Sequence, residues 1–462
     1  MQITRRSFVA AAGAAAAGCV LPPFASAGRK SRWYKGMLHA HTLWSDGRVL
    51  PEQAVRAYKD AGYDFFSITD HNRIGSDPDR WMKVAPPGGS WPPVSVEPKV
   101  FEAFRRDFPE APWRERGGVK EVRVSTIAET YARFSEPGKF LCMHGCEFTT
   151  NVTMPDGSWR DLHVNCIGLD ELIPCARTRA LYYATKKDTV AQTIGMAKAQ
   201  LDALARGKGN APSLFFVNHP QWRFSDVLPR DLVANPTVRF FEVCNNGSSF
   251  APVPPLPDDG FFCDRFWDAV NAVRCLKGEP LLYGVATDDS HGYPGCGIPA
   301  SSYTFGDGWI GVRAGALQVA DLFAAMEKGD FYAASGVDFD DIDFDGRKGT
   351  LTVSVPAKPG VSHVVRFITT KRGADTELRS VAIPGEGKRQ SREAPIFSDT
   401  VGRTEKSVSF APGQPVLASY TLASDDLYVR ARVESSEPAI VKRHMHPVMK
   451  TGWTQPFRPG GV

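Results

Sequence analysis

The chain has 462 residues, with 55 Lys and Arg against 51 Asp and Glu, and a formal net charge of +4 at pH 7. A balance this close to neutral gives no reason to expect nucleic acid as a bulk partner. The length exceeds that of one small domain and predicts a large catalytic domain with an accessory one.

The first 27 residues have the features of an export signal. Arg5 and Arg6 form a twin-arginine pair, an Ala-rich apolar run continues to Leu21, and Ala25-Ser26-Ala27 is a small-x-small cleavage site. The apolar run is too short to act as a stable membrane span. We therefore expect periplasmic export by the twin-arginine machinery, with lipid attachment at Cys19 as the weaker alternative.

Apolar runs alternate with helical patterns along the first 290 residues. This alternation predicts an α/β fold with a parallel barrel, and seven strand candidates suggest a barrel that departs from the regular eightfold form. The strand candidates are 36–41, 65–69, 140–147, 162–168, 214–218, 238–243 and 281–287. The helical patterns are 51–61, 126–134, 189–205 and 261–276.

We place this barrel at residues 28–340 and a smaller β-rich accessory domain with a basic tail at 341–462. An insertion at 73–125 contains Trp81, Trp91 and Trp113. A connection of this length suits a wall or lid over a site, and passive surface elaboration is the alternative. The Pro-rich segment 248–260 is expected to form another rim.

Histidines and carboxylates recur where the apolar runs end. His39-Ala40-His41 would direct two imidazoles to one face of an extended segment, as binding of a single ion requires. Barrel enzymes carry their catalytic groups at this end of the strands. The other candidates are Asp46, Asp70, His71, Glu147, His163, His219, Asp289 and His291.

The repetition of this pattern predicts a metal site. One histidine alone is more often structural, and His444 and His446 in the tail are interpreted as a solvated pair. Charged groups at every strand end would carry a desolvation cost if they held nothing. Cys146 is next to Glu147 but would point the opposite way in a strand, so we reject it as a nucleophile.

The ordered motifs resemble the polymerase and histidinol phosphatase (PHP) superfamily over residues 36–336. The resemblance implies a distorted seven-stranded barrel, two or three divalent ions, and hydrolysis of phosphate esters as the commonest activity. Asp70-His71-Asn72 and the C-terminal β region look closer to the carbaryl-hydrolase-like branch. The motifs are His39-Ala40-His41-Thr42, Ser45-Asp46-Gly47, Thr69-Asp70-His71-Asn72, Asn218-His219-Pro220 and Asp289-Ser290-His291.

The resemblance also implies three metal positions. The first would use His39, His41, Glu147 and Asp289. Glu147 would bridge to a second ion that His163 and His219 complete. The third would use Asp46, His71 and His291. His144 competes with His163, although in a strand it would point away from the face of Glu147.

The ligand types suggest the chemistry. Imidazole and carboxylate without thiolate suit Mn, Fe or Zn. Two neighbouring ions would lower the pKa of a shared water and polarise the electrophile. His291 and Asp289 are the candidate catalytic residues, and His291 would balance charge on the leaving oxygen if its ion position were empty. Glu242 is expected to orient ligands or substrate, and Asp70 to accept an imidazole N–H.

Three functions remain open at this stage. A phosphoesterase is preferred, and a phosphodiesterase in particular, because the scattered Arg73, Arg160 and Arg223 do not form a dense cationic pocket. Trp222 and the insertion suit a less charged small-molecule ester with bulky apolar substituents. A carbamate or carboxylic ester hydrolase is the second function. A non-catalytic metal- or ligand-binding protein is the third function. Such a protein would not need Glu147 or His291, and both are present.

Overall fold

The computed structural model describes residues 31–90, 92–155, 157–177, 183–184, 188–220, 222, 226–247, 261–300, 304–384, 392–439 and 449–459. The predicted signal at 1–27, the rim at 248–260, Trp91, Arg223 and the tail pair His444 and His446 lie outside these residues. Residues 31–462 form one compact unit. Among the described residues, no helix is both long and apolar enough to cross a membrane.

The N-terminal three quarters of this unit mix strands and helices. The strands are β1 (Arg32–Met37), β2 (Phe65–Ile68), β3 (Trp81–Val84), β4 (Ser95–Val96), β5 (Trp113–Arg116), β6 (Val119–Arg123), β7 (Leu141–Thr153), β8 (Trp159–Ile167), β9 (Tyr183–Ala184), β10 (Leu214–Val217), β11 (Phe240–Asn245), β12 (Tyr283–Thr287), β13 (Trp309–Ala314) and β14 (Phe331–Ser335). The helices are α1 (Pro51–Asp60), α2 (Pro98–Asp107), α3 (Ile127–Phe134), α4 (Val190–Gly207), α5 (Pro229–Val233), α6 (Phe262–Lys277) and α7 (Val319–Glu327), with a 3₁₀ turn at Pro174–Ala176.

The seven predicted strands lie side by side in one large sheet. Their order is β12-β11-β10-β8-β7-β2-β1, followed by β13 and β14. An isolated parallel bridge between Ala40 and Ser290 joins the segments that follow β1 and β12. The fold is therefore a mixed α/β fold with a large sheet, and regular closure into a seven-stranded barrel stays a prediction.

The expectation that all seven strands are parallel is wrong for β8. β8 pairs antiparallel with both β7 and β10, whereas β1, β2 and β7 are parallel, as are β10, β11 and β12. β7 ends at Thr153 and β8 begins at Trp159, so a short connection joins them. A short connection produces an antiparallel hairpin, since a parallel pair needs a longer crossover.

The predicted helices are confirmed as α1, α3, α4 and α6, and local sequence explains their ends. Thr126 and Glu129 form a capping box at the start of α3. Thr189 and Gln192 do the same for α4. α6 ends at Gly278, which has a left-handed φ of 70°.

Apolar packing fills one end of the large sheet and leaves the other end for polar groups. Phe65, Leu214, Phe240 and Tyr283 are the first residues of their strands and belong to one buried cluster. Side chains of α7 complete that cluster. The polar candidates follow the opposite ends of the same strands, so a rigid apolar base supports them.

The insertion at 73–125 is folded, and it packs against the segment that follows His291. It contains a four-stranded sheet of β3 to β6 and the helix α2. Gly297 approaches α2 so closely that a Cβ there would lie 2.2 Å from the Lys99 carbonyl oxygen. Arg106 donates to the Gly295 carbonyl at 3.2 Å. This contact places the insertion beside one of the candidate ligand loops, as a wall requires.

The C-terminal region is rich in strands, as predicted. They are β15 (Asp341–Asp345), β16 (Thr350–Val355), β17 (His363–Lys371), β18 (Arg379–Ile383), β19 (Arg392–Ile396), β20 (Arg403–Phe410), β21 (Val416–Thr421), β22 (Asp426–Pro438) and β23 (Met449–Thr454). β23 pairs with β14, so the large sheet continues through β22, β17 and β20. The sheet thus crosses the predicted boundary at 340–341, and the division into two domains stays a prediction.

Candidate metal centre

The segment after β1 brings two imidazoles together. His39 and His41 follow the strand instead of lying in it, and the His41 N–H donates to the Ser290 carbonyl at 2.8 Å. Both side chains are fully buried, and their Nε2 atoms are 3.2 Å apart. The expectation that this His-x-His pair shares a face is confirmed.

Two carboxylates complete this first group. Asp289 Oδ1 lies 3.4 Å from His39 Nε2 and 3.0 Å from His41 Nε2. Glu147 Oε2 lies 3.5 Å and 3.3 Å from the same two nitrogens. Ligand atoms of a tetrahedral zinc-type ion, about 2.1 Å from the metal, would be about 3.4 Å apart. The donor types and spacings therefore fit a divalent ion.

Glu147 presents its two oxygens to different neighbours. Oε2 faces the first group, whereas Oε1 lies 3.0 Å from His163 Nδ1 and 3.6 Å from His219 Nε2. The Asn218 side chain also donates to Oε1 at 2.7 Å. A carboxylate in this position can serve two ions at once, which is the arrangement expected for Glu147.

A third group surrounds Asp46. Its Oδ2 lies 3.2 Å from His291 Nε2 and 3.4 Å from His71 Nε2. His71 also contacts Glu147, since its Nδ1 is 2.8 Å from Oε2, and it forms a ligand set with Glu147 and His163. Sets of ligand atoms close enough to hold an ion are His41, Asp46, His71 and His291; His39, His41 and Asp289; and His71, Glu147 and His163.

The structure thus brings all nine predicted ligands together in three adjoining groups. Two assignments differ in detail, since His71 takes part in two groups and His219 is slightly farther from Glu147 than His163 is. His144 is only half-buried and packs against Tyr131, away from Glu147. His144 therefore points away from the face of Glu147, as predicted.

Two candidate ligands have strained backbones. His219 has a φ of 24° and Asp289 a φ of 47°, both in a region that residues other than Gly rarely adopt. Such a conformation costs about 1–3 kcal/mol and persists where the surroundings impose it. Strain at two residues that converge on Glu147 and His41 is characteristic of a functional site.

Buried carboxylates outside the three groups hold the ligands in place. Glu242 accepts a hydrogen bond from His39 Nδ1 at 2.7 Å, in agreement with its predicted orienting role. Asp288 accepts from the backbone N–H groups of Gly306, Asp307 and Gly308 and from the Tyr58 hydroxyl. Sequence reasoning missed Asp288, although its position beside Asp289 at a strand end was a usable signal.

The expectation for Asp70 is wrong. Its carboxylate accepts from the backbone N–H and hydroxyl of Thr42 at 2.8 and 2.6 Å, and from those of Ser45 at 3.1 and 2.5 Å. These four donors lie nearer than any imidazole N–H, because the chain turns back between His41 and Asp46. Asp70 therefore fixes this turn, and it reaches His41 only through Ser45, whose Oγ is 3.4 Å from His41 Nδ1.

Burial and charge set the protonation of the centre. Burial alone would raise the pKa of Glu147, but the surrounding imidazoles of His71, His39 and His163 hold it well below its usual value. Burial alone would raise the pKa of Asp46 and Asp289 as well, and imidazoles again hold both well below. Burial lowers the pKa of His163 to about 4. These carboxylates are therefore ionised and His163 is neutral at neutral pH. For His39 and His71, burial alone would lower the pKa, but the neighbouring carboxylates raise it well above the usual value, so a bound cation would have to displace protons from these two imidazoles.

The centre opens to solvent at one residue. The His291 side chain is 36% exposed, whereas the other candidate ligand side chains are 9% exposed or less. Trp222 lies over the other side, with its ring centroid 5.2 Å from that of His163 and 5.1 Å from that of His219. A substrate would therefore approach past His291.

The remaining sequence candidates do not enter the three groups. Arg160 donates to the Ser158 hydroxyl and the Trp159 carbonyl. Cys146 is buried, and burial raises the pKa of its thiol, so the thiolate is disfavoured. The thiols of the eight cysteines from Cys142 to Cys296 are free, and most of them are buried.

No family model matches the chain, and no curated protein matches it. Several solved structures are similar to it. One, from Bacteroides vulgatus ATCC 8482, is a two-domain protein containing a predicted PHP-like metal-dependent phosphoesterase; it shares 15% identity, covers 92% of this chain and 96% of its own, and has a TM-score of 0.38.

A second similar structure, from Bifidobacterium adolescentis ATCC 15703, is that of a protein predicted to be a metal-dependent phosphoesterase. It shares 12% identity, covers 57% of this chain and 89% of its own, and has a TM-score of 0.29. Fold and site together define a mixed α/β protein with a buried centre suited to divalent metal ions.

Proposed function

We propose that the protein is a metal-dependent hydrolase of phosphate esters. The two-sided environment of Glu147 carries the proposal, because one buried carboxylate faces two imidazole groups through different oxygens. Two or three Mn, Zn or Fe ions bound there would supply hydroxide at neutral pH and polarise the phosphoryl oxygen. The resemblance of the ordered motifs to the PHP superfamily agrees with this chemistry.

The residues of the centre divide this work. His39, His41 and Asp289 would hold one ion, His163 and His219 a second, and Glu147 both. Asp46, His71 and His291 form the third group, on the side that opens to solvent. His291 is placed to meet an entering ester, either as a ligand or by donating a hydrogen bond to the leaving oxygen.

Within phosphate esters, we propose phosphodiesters with aryl or alkyl groups as the preferred substrates. Trp222 offers an apolar surface beside His163 and His219, which suits a substituent that a monoester lacks. Arg160 is engaged with Ser158 and Trp159, so it gives no support to a pocket for a dianion.

The test compares kcat/KM for an aryl alkyl phosphodiester, the matching monoester and an aryl carbamate with one metal-loaded preparation. We expect the diester to be the best substrate. A carbamate preference of about tenfold or more, equivalent to about 1.4 kcal/mol, would replace the phosphodiesterase by the carbamate hydrolase of the carbaryl-hydrolase-like branch. Normal metal binding without turnover of any ester would favour a non-catalytic binding protein.

Export is a separate proposal that rests on the N-terminal sequence. We propose that the twin-arginine machinery delivers the folded protein to the periplasm, since Arg5 and Arg6 precede an apolar run and a cleavage site. Replacing both arginines by lysine should keep the precursor in the cytoplasm, as fractionation and immunoblotting would show. Normal periplasmic accumulation of the double variant would contradict this route.

A further inference from the structure

One buried carboxylate outside the metal groups contacts two of them at once. Glu242 lies in β11 and is fully buried. Its Oε1 accepts from His39 Nδ1 at 2.7 Å and from the Thr287 hydroxyl at 2.6 Å. Its Oε2 accepts from the His219 backbone N–H and the Asn245 side chain, both at 2.7 Å. Four donors thus occupy a group that has about four acceptor positions.

The contact to His39 determines which nitrogen of that imidazole faces the first group. Because Nδ1 donates its proton to Glu242, Nε2 is the nitrogen that carries a lone pair. That nitrogen is the one that lies within 3.5 Å of His41, Glu147 and Asp289. Glu242 therefore orients His39 as a ligand.

The contact to His219 acts on the backbone. His219 has a left-handed φ of 24°, which the chain does not adopt without a restraint. A hydrogen bond of 2.7 Å from its N–H to a buried carboxylate oxygen restrains this conformation. The preceding Asn218 side chain donates to Glu147, so carboxylates on both sides fix this turn.

We infer that Glu242 is a positioning residue that links the ion positions on the two sides of Glu147, through His39 on one side and His219 on the other. The inference rests on the proposed function, since it concerns the same metal centre. It differs from a merely structural role because the effect must appear in metal affinity and ligand geometry at both positions.

The test is E242Q in the full mature protein. Glutamine keeps the volume but replaces one acceptor oxygen by an NH₂ donor, which then faces either the His39 edge or the His219 N–H. We expect affinity for Mn²⁺ and Zn²⁺, measured by competition with a chromophoric chelator, to fall about 10–100-fold at both positions. The visible absorption of the Co²⁺-loaded protein should change as well, which reports ligand geometry independently of activity.

The matched control is E52Q. Glu52 is also a buried glutamate that accepts a hydrogen bond, from the Ser125 hydroxyl, but it contacts none of the three groups. We expect its ion affinities to stay within about threefold of the unmodified protein, with an unchanged Co²⁺ spectrum. Wild-type affinities and spectrum in E242Q, or an equal loss in E52Q, would overturn the inference.

A second variant keeps the test decisive if E242Q does not fold. T287V preserves the side-chain volume and removes one donor to Glu242 Oε1, so it should weaken ion binding and alter the Co²⁺ spectrum to a smaller extent. No change in either would also overturn the inference. Failure of the unmodified protein to bind divalent ions would instead overturn the proposed function, and ion binding without ester hydrolysis would overturn only the proposed activity.

Discussion

At the scale of single residues, the alternation of side chains along β7 explains why His163 and not His144 lies beside Glu147. His163 reaches Glu147 Oε1 at 3.0 Å, whereas His144, on the strand that carries Glu147, packs against Tyr131. Only the first can share an ion with Glu147. The two histidines therefore make a matched pair for testing the ligand assignment.

We expect H163N to bind fewer ions per chain and to lose at least about 100-fold in turnover, more than removal of an outer hydrogen-bond partner costs. H144N should retain full metal content and activity. Elemental analysis of purified protein and steady-state kinetics give both quantities. Retention of all ions by H163N, or their loss in H144N, would contradict the assignment.

Most candidate ligands could be predicted from sequence because they follow apolar runs, and the ends of parallel strands converge on one edge. Glu147 and His163 instead lie inside β7 and β8. The partners of the ligands could not be predicted. Asp70 was expected beside an imidazole, but the turn from Thr42 to Ser45 supplies four donors to it. Such contacts depend on loop conformations that no periodicity encodes.

At the scale of elements, the turn between His41 and Asp46 depends on Asp70. Burial raises the pKa of the Asp70 carboxyl, although its hydroxyl and backbone donors lower it. Burying the charged carboxylate therefore costs free energy. Its four hydrogen bonds compensate that cost and hold Asp46 near His71 and His291. The turn is thus an element built for the third group.

D70N should affect the third group selectively. The amide places a donor against the N–H or hydroxyl of Thr42 or Ser45, so the turn loosens. We expect about 10–100-fold weaker binding of the ion at Asp46, with the other positions largely retained, in titrations at graded free metal. D231N is the control, since Asp231 is a buried carboxyl that accepts the Leu228 N–H far along the chain. Equal losses in both variants would contradict this role.

The direction of β8 could not be predicted from the apolar pattern. The run at 162–168 predicts a strand, and β8 is present, but the run does not carry the direction of pairing. Direction depends on the length of the connection from Thr153 to Trp159, which is short enough for a hairpin. The parallel expectation fails at this one place for that reason.

At the scale of the whole molecule, buried ion pairs join the C-terminal strands to α6. Arg430 of β22 binds Asp268 through two hydrogen bonds of 2.9 and 2.6 Å and lies 3.0 Å from Asp264. The Tyr428 hydroxyl also donates to Asp268 at 2.7 Å. These partners are about 160 residues apart in sequence, so nothing local predicts their pairing.

Breaking this network should destabilise the protein as a whole. D268N leaves the buried Arg430 without its main counter-charge, and we expect the free energy of unfolding to fall by about 3–5 kcal/mol in chemical denaturation. D375N is the control, because Asp375 pairs with Arg379 at the surface, where solvent screens the pair and its loss should change the stability little. A cost for D268N no larger than that of the control would contradict the contribution of this pair to stability.

The central claim is that the centre around Glu147 binds divalent ions and that hydrolysis depends on them. The most direct measurement is metal content and ester turnover of the purified mature protein before and after prolonged dialysis against a strong chelator, with E147Q alongside. We expect about two or three ions per chain, loss of turnover on dialysis, recovery on adding Mn²⁺ or Zn²⁺, and little metal or turnover in E147Q. Full turnover by the metal-free protein would contradict the claim.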